Sequence, residues 1–183
     1  MTAFDATAPE HNPPQTVQTP GRHVVDAVEA FRLPTKGGAS IVVRTEVLLG
    51  DCKGQRVGRL CMIEGNGTRW FANLLKSTGQ TKLQDINSDA EVSKALTSRP
   101  FAVSCAWGRT VKDKNGETQL GPDNKPIRYM EIRDFYPISE KERAALRADG
   151  YKPSERVDLF VEAPSKDSDA GGGDYVPDDD MPF

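Results

Sequence analysis

The amino-acid sequence predicts a mainly β domain with inserted helices: a small antiparallel barrel between N- and C-terminal tails that are expected to be disordered. Three observations carry this expectation. Strand-like alternation recurs around residues 40–49, 56–63, 101–107 and 127–136. Two helical stripes fall between the second and third of these strands. Both ends of the chain are poor in apolar residues and rich in Pro, Gly, Thr or Asp, so they cannot bury enough surface to offset chain entropy.

Taken in order, residues 1–20 hold Pro9, Pro13, Pro14 and Pro20 among polar residues and are expected to stay unpacked. Val24, Val28 and Phe31 recur at spacings of four and three, which leaves this short stretch open between a helix turn and a first strand. In Ser40–Leu49 the residues Ile41, Val43, Thr45, Val47 and Leu49 share one face, which is strand periodicity. Gly50–Gly54 is a turn, and Arg56–Ile63 returns as the second arm of a hairpin, with a kink expected at Gly58. Phe71, Leu74, Leu75 and Thr78 form a helical stripe ended by Gly79. Ser88 to Glu91 is a capping box that opens a second helix, which must stop before Arg99-Pro100. Phe101–Trp107 and Ile127–Tyr136 are strands joined by a long polar connection, Gly108–Pro126, with Asn115-Gly116 as a turn signal. Ser139 to Glu142 caps a last helix that ends at Gly150. Strands, two helices, then strands again fit a five-stranded OB-fold best, although only four strands are distinct in the sequence. The expected division is a tail at 1–20, a domain at 21–150, a linker at 151–173 and an acidic segment at 174–183.

The net charge of -3 hides an asymmetry. Residues 1–20 carry -2, residues 21–139 carry +5, residues 140–163 carry -1 and residues 164–183 carry -5. A basic body with an acidic end suggests two different partners. Cys52, Cys61 and Cys105 are odd in number and form no Cys-x-x-Cys pair, so neither a disulfide framework nor a zinc site is expected, and a reducing cytoplasm fits. No apolar run is long enough to span a bilayer, and the first residues lack the pattern of a secretory signal. No cofactor is expected.

Holding a single strand of nucleic acid requires cations for phosphates and flat rings for bases. The candidate cations are Arg56, Arg59, Arg109, Lys112, Lys114, Arg128 and Arg133, gathered at predicted loop and strand ends. The candidate rings are Trp70, Trp107, Tyr129, Phe135 and Tyr136, each of which has core packing as its bland alternative. Trp107 opens the basic connection and Tyr129 alternates with Glu131 and Arg133, which favours these two; Trp70 lies one step off its helix stripe.

The end of the chain carries the sharpest motif. After Gly171–Gly173, residues Asp178, Asp179, Asp180, Met181, Pro182 and Phe183 place three carboxylates before a proline-stiffened aromatic end. Such a segment suits capture, with the ring in a pocket and the carboxylates on a ring of Lys and Arg. It resembles the C-terminal tip of bacterial single-stranded DNA-binding proteins, with Met181 where Ile or Leu is more usual. The body, through Arg56-Val-Gly-Arg59, Phe71 to Gly79 and Ile132-Arg-Asp-Phe-Tyr-Pro137, is similar to phage-encoded proteins of this type over about residues 30–138. The resemblance implies an OB-fold that coats single strands without sequence preference in replication, recombination or repair. It also implies a tip that recruits the enzymes of those processes, in a bacterial or phage-infected cytoplasm.

Two rivals stand beside this reading. His11 and His23 are the only histidines, and no metal set, Cys–His dyad or phosphate loop is visible, so an enzyme is not expected; a carboxylate-only nuclease is the residual case. The other rival is a protein-interaction module whose tail mimics nucleic acid, against which the +5 body argues. The oligomeric state is open, a homo-oligomer included.

Overall fold

The computed structural model describes residues 16–35, 38–64, 67–80, 88–113, 115–153 and 158–163. Five strands, β1 (Gly21–Thr35), β2 (Gly38–Val47), β3 (Arg56–Met62), β4 (Phe101–Thr110) and β5 (Arg128–Tyr136), form one antiparallel sheet in the order β3-β2-β1-β4-β5. Helices α1 (Arg69–Ser77) and α2 (Asp89–Leu96) lie between β3 and β4, and α3 (Glu140–Ala148) follows β5.

Ile41, Val43, Thr45 and Val47 of β2 are all buried, as the alternation predicts, but Ser40 and Val42 on the other face are buried too, Val42 against Phe31 and Leu60. β2 pairs with β3 from Glu46↔Arg56 to Ser40↔Met62 as a hairpin. The ladder runs through Gly58 without a change of register, so no kink marks that position. The stretch that left helix and strand open is strand β1, with a register shift between Ala27 and Glu29. That shift inserts one residue, and it explains the helix-like spacing of Val24, Val28 and Phe31. A second bulge, between Ser104 and Cys105 on β4, leaves Arg133 as the extra residue of β5, because Ser104 opposes Asp134 while Cys105 opposes Ile132. Ile132 and Phe135 consequently both point inward. Phe135, counted among the candidate rings, is therefore a core residue packed on Phe101 and Trp70.

The helices follow their signals. α1 buries Phe71, Leu74 and Leu75, and Gly79 ends it at φ +86°, a left-handed conformation that glycine adopts without strain. α2 and α3 each open with the predicted capping box, at Ser88–Glu91 and Ser139–Glu142. α3 is moored to β1 by Arg22, whose guanidinium donates to both Glu142 carboxylate oxygens at 2.8 and 3.0 Å.

The two end strands of the sheet, β3 and β5, face each other. Among the described residues no backbone ladder joins them. Arg59 bridges the gap instead, its Nη1 donating to the Ile132 carbonyl at 2.9 Å. Its position is dictated by register: the row Ala30–Val43–Arg59 lies on the inner face, so the guanidinium points across the seam. α1 fills the same seam, with Trp70 against Phe135 and Asn73 donating to Asp134 at 3.3 Å.

Both expected boundaries of the domain move outward. Val17, assigned to the unpacked N-terminal tail, is fully buried, and its N–H donates to the Arg56 carbonyl at 3.0 Å. Leu159, assigned to the linker, is also in the core. Ala30 donates to the Leu159 carbonyl at 2.7 Å and accepts from the Val161 N–H at 2.9 Å, a short parallel pairing. It lies along the half of β1 that β4, paired only with Gly21–Val25, leaves uncovered. Pro34 sits in that same half, where an edge strand tolerates its missing donor. Residues 1–15 and 164–183 lie outside the described residues. Among the described residues no helix is long and apolar enough to cross a membrane.

Candidate nucleic-acid interface

The polar connection between β4 and β5 is a built arm. At its root three residues form a ring of backbone hydrogen bonds: Val111 N–H to Ile127, Ile127 N–H to Gln119 and Gln119 N–H to Val111, at 2.8 to 3.0 Å. Two small hairpins spring from this ring. One closes with Lys112 opposite Thr118, the other with Leu120 opposite Pro126. Each turn is fastened by an aspartate: Asp113 accepts from Asn115 and Glu117 N–H, and Asp123 from Lys125 N–H. The Asn115-Gly116 signal marks the first turn, with Gly116 at φ +82°.

Around the root, the candidate residues divide by what they touch. Arg109, Lys112 and Arg128 are exposed and make no ion pair among the described residues. Trp107 is 39% exposed and Tyr129 38%, unusually open for large rings on strands. Trp107 opposes Met130 in the ladder, so it shares a face with Met130 and, by alternation, with Arg128. Tyr129 occupies the other face, with Glu131. Gly108 makes room there: a Cβ at this position would lie 2.1 Å from the Glu131 carboxylate.

Three other cations are committed within the fold. Arg56 pairs with Glu46 at 3.2 Å, directly across the ladder. Arg59 spans the seam and lies over the Trp70 ring, 4.2 Å from its centroid. Arg133 pairs with Glu131 at 3.2 Å and donates to the Trp107 carbonyl at 3.0 Å. Trp70 is half-buried against the core. Tyr136 is 38% exposed under the Arg22 guanidinium, at the end of β5 away from the arm. Lys114 and the segment from Asp178 to Phe183 (Asp179, Asp180, Met181 and Pro182 between them) lie outside the described residues. Sequence reasoning passed over Leu120, whose one visible signal was an aliphatic residue beside Gly121-Pro122 in a polar stretch.

Displaced proton affinities concentrate near α3 and in the core. The Arg22 fork and the capping-box donors hold the Glu142 carboxyl at about 2. Burial pushes Asp26 up, partly offset by the Tyr151 hydroxyl that donates to it at 2.6 Å. Burial also pushes the Cys61 and Cys105 thiols up to about 12, which keeps them protonated and inert. Among the described residues no group of His, Cys, Asp and Glu could hold a metal ion. Compared with protein-family models and with curated protein sequences, the chain matches none.

Proposed function

We propose that this chain is a sequence-independent single-stranded DNA-binding protein. In this reading a domain of the OB type holds the strand at the arm root, and the acidic segment Asp178–Phe183 recruits replication, recombination or repair enzymes. One observation carries the DNA half: Arg109 and Arg128, on the β4–β5 ribbon that also carries the exposed Trp107 ring, and Lys112 just beyond its end are exposed cations with no ion pair among the described residues. Charge without an internal partner, next to a ring without a core, is what phosphates and bases use. Tyr129 supplies a second ring on the opposite face. The strand order β3-β2-β1-β4-β5, with helices between β3 and β4 and the end strands turned toward each other, supports the OB assignment. The protein half rests on the resemblance of the acidic segment.

The test is titration of a short labelled oligonucleotide at several salt concentrations. Neutralising Z phosphates of a single strand gives a log–log slope of about -0.7Z, so three to five contacts predict roughly -2 to -3.5. Oligonucleotides of different sequence should bind alike. A slope near zero, or no binding at low salt, ends this reading and leaves the interaction module in its place. Removing Asp178–Phe183 should abolish capture of partner enzymes and leave oligonucleotide binding intact or, at low salt, tighter.

A further inference from the structure

The two ends of β4 carry features that fit each other. Beyond its C-terminal end stands the arm, whose second hairpin holds Leu120 at 52% exposure, the most open of the large apolar side chains among the described residues. Before its N-terminal end, Pro100 joins Leu146, Arg143 and Arg147 of α3 and Tyr151 in lining a depression of about 160 Å³. An apolar cavity of roughly 150 Å³ admits a group the size of benzene, so one branched aliphatic side chain fits. Pro100, Leu146 and the Tyr151 ring form an apolar floor, and Arg143 and Arg147 form a cationic rim. Charge is complementary as well: residues 117–126 carry Glu117 and Asp123 against Lys125, which pairs with Asp123 at 3.4 Å, whereas at the rim Arg143 pairs with Glu140 at 3.4 Å and Arg147 makes no ion pair among the described residues.

Distance decides which molecule supplies the leucine. β4 has ten residues, and at about 3.3 Å per residue its ends lie some 30 Å apart. A hairpin that closes at Leu120–Pro126 is far too short to fold back over that span. We propose that the Leu120 hairpin of one copy docks in the Pro100–Leu146–Tyr151 depression of the next, a head-to-tail contact between copies of this chain. Such a heterologous contact uses two different patches and does not close on itself, so it propagates into open arrays. On a single strand, the same contact would place neighbours side by side with their arms in one direction. The contact itself needs no nucleic acid, so it stands or falls independently of the DNA reading.

The experiment is sedimentation of the full chain without nucleic acid at rising protein concentration. The average mass should climb beyond that of a dimer. Leu120→Lys, on an exposed turn, removes the aliphatic group and opposes the cationic rim, and should weaken association about tenfold or more with an unchanged thermal midpoint. The double variant R143E/R147E should do the same. Mixed in equal amounts, the two variants bring together one intact hairpin and one intact depression, so they should form dimers and nothing larger. A wild-type chain that stays monomeric at the highest concentration overturns the proposal. So does a Leu120→Lys protein that associates as the wild type does, or a mixture that stays monomeric.

Discussion

Two places in this molecule bring an arginine together with a tryptophan, and they do different work. At the seam, Arg59 lies 4.2 Å over Trp70 and gives a hydrogen bond to the Ile132 carbonyl, so cation and ring are both used up in joining β3 to β5. At the arm root, Arg109 and Arg128 stand on the same two-stranded ribbon as Trp107, and neither guanidinium has an acidic partner among the described residues. The residue types are the same; their accounts with the rest of the fold differ. A cation already facing a carbonyl and a ring has little left for a ligand, whereas an unpaired one in water keeps its full charge for phosphate.

Substitutions can break or sharpen this contrast. The largest effect should come from Trp70→Ala, which empties the seam and costs about 3 kcal/mol of stability in chemical denaturation, near the low end for aromatic truncation because the ring is half-buried. Oligonucleotide affinity of the folded fraction should not change; a large loss of affinity at constant stability would merge the two regions into one site. Trp107→Ala should do the reverse, weakening binding by about 2 kcal/mol if the indole stacks on a base, with little effect on the thermal midpoint.

A smaller effect tests a charge outside both regions. Glu142→Gln keeps a capping-box residue but removes the ion pair to Arg22. The folded carboxyl sits at about 2, below its ordinary 4.5, so its stabilisation is fully present above about pH 4.5 and fades as pH falls toward 2. The variant should lose about 1 kcal/mol at pH 7, allowing for solvent around Arg22, and should converge with the wild type in acid melts. Smallest of all, Arg128→Ala should lower the steepness of the salt dependence by about 0.7, one phosphate contact, while Arg59→Met should leave the slope unchanged. Equal slopes for the wild type and Arg128→Ala would remove Arg128 from the interface.

Much of the fold is legible in the sequence because its signals are local. The β2–β3 hairpin, the two capping boxes and the Gly79 stop each need only a few adjacent residues, and each is found in its place. What escaped depends on partners far along the chain. Val17 and Leu159 are single apolar residues in polar stretches, and no periodicity marks a residue that packs alone. The bulge at Arg133 changes which side of β5 points inward, so Phe135 reads as exposed until the opposite strand is known. The candidate cations were legible as a set. Whether each is spent on Glu46, Ile132 or Glu131 is fixed by ladder register and tertiary approach, which composition does not encode.

The short pairing of Leu159–Val161 with Ala30 makes β1 a mooring post. Every later position along the chain is counted from that fixed point. Phe183 lies twenty-two positions beyond Val161, and even fully drawn out that length of chain reaches no farther than about 80 Å. Under the proposed function, an enzyme caught by the acidic end would therefore work within one short radius of the single strand held by the same molecule. A chain cut at residue 150 would lose this pairing with β1, and one cut after Ala163 would keep it.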